Sequence, residues 1–179
     1  VIRILIITLF CSITSYAQNC GVTIDSTSII SNKNLDFFIR KLQSDSFIVR
    51  RDKNVIPARI RKIFNCLTQD TLIANPNEAW QAGDNIIIGK GAPPRQKLLF
   101  FGWSANVFFI VYKRGGIATI NHVMLFRFDN KKILLGISDR NISDFWAGTV
   151  WDEDSTIKEL AASLRTKENY IDQDDFLQF

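Results

Sequence analysis

The sequence predicts a single α+β domain: two helices, a five- to six-stranded antiparallel meander, and a closing helix packed on one face of the sheet. Three observations carry this prediction. Apolar residues recur at helical spacing before residue 70 and again after residue 155. Between them, dense apolar runs are separated only by short turn signals. The chain has 179 residues, of which 46% are hydrophobic, enough for one core without help from a metal. Segregation of helices from strands is the mark of the α+β class, with helices covering one face of the sheet. With 22% charged residues and no repeat, the composition excludes collagen, coiled coil and a disordered chain.

The first helix is read from Leu35, Phe38, Ile39 and Leu42, which fall at i, i+3, i+4 and i+7 on one stripe. Ser44-Asp45-Ser46 ends it. Pro57 then stands where a first-turn proline is tolerated, and Ile60, Ile63, Phe64 and Leu67 form a second stripe. Arg59, Arg61 and Lys62 take the other faces of that helix.

Residues 97–103 and 107–112 are rich in Leu, Phe, Ile and Val, with a Gly-, Ser- and Asn-containing turn between them. Arg114-Gly115-Gly116 is a second turn signal, and residues 117–128 follow as a long strand. Residues 132–135 and 144–151 complete the meander. The connections are too short for parallel crossovers, which need a dozen or more residues. Asp154-Ser155 is read as the cap of a last helix carrying Ile157, Leu160, Ala161 and Leu164 on one stripe. From Glu168 the chain is acidic, and residues 168–179 are read as a loose tail after a domain spanning 18–167.

The first seventeen residues read as an export signal. Arg3 precedes a short apolar run from Ile4 to Cys11, and Ser15-Tyr16-Ala17 supplies a small–x–small ending, which places cleavage after Ala17. The run is shorter than the roughly 20 residues that span a bilayer, so no transmembrane anchor is expected and the protein is expected outside the cell or in the periplasm. Removal of Cys11 leaves Cys20 and Cys66, an even pair that forms a candidate disulfide in an oxidising compartment.

His122 is the only histidine. Strand alternation sets it on one face with Ala118, Ile120, Met124, Phe126 and Phe128, an otherwise apolar surface, so it points into the core or lines a pocket. The catalytic reading pairs His122 as base with Cys66 as nucleophile. That spacing resembles the exported cell-wall peptidases of the papain-like superfamily and implies a thiol hydrolase. Cys66, however, falls in the last turn of its helix, where the helix dipole opposes a thiolate. The leading reading is therefore a non-enzymatic domain that binds a ligand or partner through a sheet–helix pocket or a basic helix face.

No metal-ligand motif, phosphate-binding glycine loop or serine-nucleophile elbow is present, so neither metal nor cofactor is expected. Only four Glu occur, and Glu78 with Asp84 is the nearest approach to a carboxylate pair, in the loop that carries Trp80. Trp80, Trp103, Trp146 and Trp151 are candidates to line a site or fill the core. From residue 18 to 114 there are 14 basic and 7 acidic side chains, and from 115 onward 7 basic and 11 acidic. Arg50, Arg51, Lys53, Arg59, Arg61 and Lys62 are the densest basic stretch. On an exported protein such a patch points to an anionic glycan or lipid surface rather than nucleic acid, beside an unknown small ligand.

Overall fold

A computed structural model describes residues 20, 25–83, 87–116, 118–129, 142–150 and 156–166. The export signal, Asp84, the expected strand at 132–135, Trp151 and the acidic tail lie outside these residues.

The elements are α1 (Ser26–Ile30), α2 (Leu35–Ser44), β1 (Ile48–Arg50), α3 (Ala58–Thr68), β2 (Ile73–Ala74), β3 (Gln96–Trp103), β4 (Val107–Arg114), β5 (Ile120–Phe128), β6 (Ile142–Val150) and α4 (Ile157–Arg165). The α+β class stands, with a six-stranded sheet ordered β1-β3-β4-β5-β6. Strands β3 to β6 form the antiparallel meander. The other two are short edge pieces from the helical half: β1 pairs antiparallel with the end of β3, and β2 pairs parallel with its start.

The helical stripes face inward as their spacing requires. Leu35, Phe38, Ile39 and Leu42 of α2 are buried, as are Ile60, Ile63, Phe64 and Leu67 of α3 and Leu160, Ala161 and Leu164 of α4. Two caps differ from the sequence reading. Pro57 is the residue before the first turn of α3, and Thr156 caps α4 in a reciprocal capping box with Glu159. A short helix, α1, precedes α2. Asn32, between the two, takes a positive φ of 54°, a conformation that asparagine tolerates better than most residues. Its Oδ1 accepts the indole N–H of the fully buried Trp146 at 3.0 Å. Asn34 adds bonds from Nδ2 to Asp144 Oδ1 and to the Phe145 carbonyl at 2.6 and 2.9 Å. These contacts pin the α1–α2 corner to β6.

The sheet is covered on both faces. Asn32 meets Trp146, and Phe47, just beyond α2, meets Phe109 edge-on at 5.5 Å. Alternation and register put Trp146 and Phe109 on one face, and α4 packs there on α2 and β6. Phe64 of α3 instead meets Tyr112 edge-on at 4.9 Å, and Tyr112 projects from the opposite face. The reason is in β4: every side chain from Val107 to Tyr112 is buried, so both of its faces need a cover.

A candidate functional site at one end of the sheet

Register assembles the site. Gln96 of β3 lies opposite Arg114 of β4, Leu98 lies opposite Tyr112, and Tyr112 lies opposite His122, which in turn faces Thr149 of β6. Residues paired across antiparallel strands share a face, and i and i+2 along a strand do so too. Gln96, Tyr112, Arg114, His122 and Thr149 therefore occupy the same end of the face that α3 covers. The surroundings of His122 are thus polar at this end, not wholly apolar as its own strand suggests. Ala118 is exposed and lies before the strand, which begins at Ile120.

Three of these groups are held in unusual states. Gln96 is fully buried, and neither its Nε2 nor its Oε1 has a hydrogen-bond partner. Asn34 and Asn106 each leave one buried oxygen unpartnered, but Gln96 leaves both ends of its amide. Arg114 is half-buried, and among the described residues its guanidinium makes neither an ion pair nor a hydrogen bond. His122 stacks on Tyr112 with ring centroids 5.2 Å apart and planes 19° from parallel. Burial, and then the charge of Arg114, push its pKa down from 6.5 to about 4, so the ring is neutral at pH 7.

The sign of the resulting pH dependence follows from proton counts. The unfolded chain takes up a proton near pH 6.5 and the folded chain only near 4. Stability is therefore full above 6.5 and falls as the pH drops from 6.5 toward 4, by on the order of 2 kcal/mol for a half-buried ring. Denaturant midpoints at pH 7.5 and 4.5 should fall further apart for the parent protein than for His122→Gln. Equal slopes in the two proteins would contradict the placement of this ring.

The other residues singled out in the sequence lie apart from this cluster or are committed elsewhere. Cys66 is disulfide-bonded to Cys20, with Cα atoms 5.5 Å apart, so the Cys66–His122 dyad has no thiolate to offer. Glu78 accepts from Lys53 Nζ, from the Asn75 N–H and from Asn75 Nδ2, and those bonds hold its carboxyl below the usual carboxylate range. It ties the turn after β2 to the segment before α3 and belongs to no described carboxylate pair. Trp80 is half-buried under the ammonium of Lys97, 5.7 Å from the ring centroid. Trp103 stacks on Phe101 beneath Arg50. On α3, Arg61 donates from Nη2 to the carbonyls of Asn54 and Ile56, and Lys62 is exposed while Arg59 is half-buried.

Sequence reading missed Gln96 and Arg114, one at the head of a strand and the other inside a turn signal. The one clue was the pair of polar dipeptides, Gln96-Lys97 and Lys113-Arg114, at the two ends of a hairpin, which its register brings together. No group of three or more His, Cys, Asp or Glu among the described residues could hold a metal ion. Comparison with protein-family models, with curated proteins and with solved structures finds no match to this chain.

Proposed function

We propose that this protein is a binding domain for a small molecule bearing a carboxylate or similar anion, which sits between Gln96 and Arg114 beside His122. The unpartnered amide of Gln96 carries the reading. Leaving such a group buried and unsatisfied costs about 1–3 kcal/mol, a penalty that is recovered when a ligand supplies the missing bonds. Arg114 adjoins it and offers a guanidinium, whose planar donors suit a carboxylate, with charge-assisted bonds roughly twice as strong as neutral ones. Neutral His122 adds one donor and one acceptor, and Tyr112 with Phe64 forms an aromatic wall.

Binding suits this cluster better than catalysis. Among the described residues no carboxylate contributes to the shift of His122, whereas a general base is commonly oriented by one. The Cys20–Cys66 bond leaves no free thiol at Cys66, which favours binding over the thiol alternative and is consistent with an oxidising compartment. No described helix is long and apolar enough to cross a membrane.

Because the protein has one histidine, its ring resonances report the site without ambiguity. Titration with acetate, succinate and citrate should shift them, and a bound anion should raise the His122 pKa by offsetting Arg114. Arg114→Gln should abolish the shift. Gln96→Leu should stabilise the free protein by about 1–2 kcal/mol while weakening anion binding, because it removes an unsatisfied amide. If none of these anions moves the ring and Gln96→Leu destabilises the fold, the reading fails.

A further inference from the structure

We infer that residues 87–95 form a loop that docks the protein on an anionic lipid surface. Six large apolar side chains are left exposed among the described residues. Three of them, Leu72 at 56%, Ile87 at 57% and Ile88 at 88%, border one open groove of about 360 Å³. Single exposed apolar residues are ordinary on a protein surface, whereas a grouped patch marks a contact.

The exposure is built into the fold. The buried Gln81 side chain accepts the Ile87 N–H at 2.7 Å and donates to the carbonyls of Ile87 and Pro93. Its own backbone N–H donates to the Pro94 carbonyl at 2.9 Å. The backbone of Ile87 is thus held from both sides, and Gly89 and Gly91, both at positive φ, turn the chain beyond the isoleucines. Folding the apolar tip inward would break bonds made by a buried amide.

Charge selects the occupant. Exposed Lys90 lies two residues beyond Ile88, and Arg95 lines the same groove. The one acid among the described lining residues, Asp70, accepts the Leu72 N–H on its carboxylate at 3.2 Å. Two exposed isoleucines followed by Lys90, with Arg95 in the same groove, match the boundary between acyl chains and phosphate headgroups. This surface is distinct from the Gln96–Arg114 cluster and stands or falls separately from it.

The experiment is co-sedimentation with vesicles of phosphatidylcholine alone and of phosphatidylcholine mixed with phosphatidylglycerol. The protein should sediment with the mixed vesicles, less so at high salt, and far less with the neutral ones. Ile88→Ser should weaken binding about tenfold, the loss expected when one isoleucine no longer inserts, with an unchanged thermal midpoint. Lys90→Glu should weaken it as well. Failure of the parent to sediment would overturn the inference. So would equal binding by Ile88→Ser, or a loss caused by Lys62→Glu on α3 in place of the loop variants.

Discussion

Removing the Cys20–Cys66 disulfide, by reduction or as the Cys20→Ser/Cys66→Ser double variant, should destabilise the fold by about 4 kcal/mol. The two cysteines are separated by 46 residues in sequence, and chain-entropy arguments give that magnitude for a loop of this length. The enclosed segment carries α1, α2, β1 and most of α3, so the crosslink restrains the whole helical half of the unfolded chain. Both cysteines are only half-buried, so replacing sulfur with oxygen should cost little in packing. Urea unfolding with and without reductant checks this. The midpoint should fall and the m-value should rise, because the uncrosslinked chain exposes more surface when unfolded. An unchanged midpoint would contradict the bond as a source of stability. Rapid alkylation of Cys66 in the native, unreduced protein would reopen the thiol-hydrolase reading.

Periodic segments were the legible part of this fold. The stripes of α2, α3 and α4 and the apolar runs of β3, β4 and β6 are long enough for their spacing to override individual propensities. Strands β1 and β2 were not legible: Ile48–Arg50 and Ile73–Ala74 are too short to show a period, and they become strands only because β3 offers an unpaired edge. The second covered face of the sheet was legible only in part. The run Val107 to Tyr112 signals two-sided burial, but nothing local says that α3 supplies the second cover. The candidate site was the least legible feature. His122 could be placed on a face from its own strand, but its neighbours Gln96, Arg114 and Thr149 come from three other strands and depend on register. A local pattern can show which side chains a strand aims together, whereas pairing decides what they meet.

Gly115→Ala should cost about 3 kcal/mol or more and should disturb both the Gln96–Arg114 cluster and the exposed loop. A Cβ at Gly115 would lie 1.8 Å from the Gln81 carbonyl oxygen, 2.9 Å from its carbon and 3.2 Å from the Ala82 Cα. All three are backbone atoms, so no side-chain rotation relieves the clash. The segment cannot simply withdraw. The Gly115 N–H donates to the Arg95 carbonyl, the Gln81 N–H donates to that of Pro94, and Thr119 Oγ1 donates to that of Ala82. Moving Gln81 by more than an ångström would break the bonds of its amide to Ile87 and Pro93 and would drag Arg114 out of register with Gln96. Gly116→Ala is the control, because a Cβ there meets nothing within 4 Å, and it should change stability by less than about 0.5 kcal/mol. Denaturant unfolding of both variants tests the energetic claim. Hydrogen exchange at the Ile87 amide tests the mechanism, because that N–H should lose its protection in Gly115→Ala and keep it in Gly116→Ala. Two variants of equal stability would mean that Gly115 does not hold the loop against the sheet, and Gln81 would then have to position Ile87 unaided.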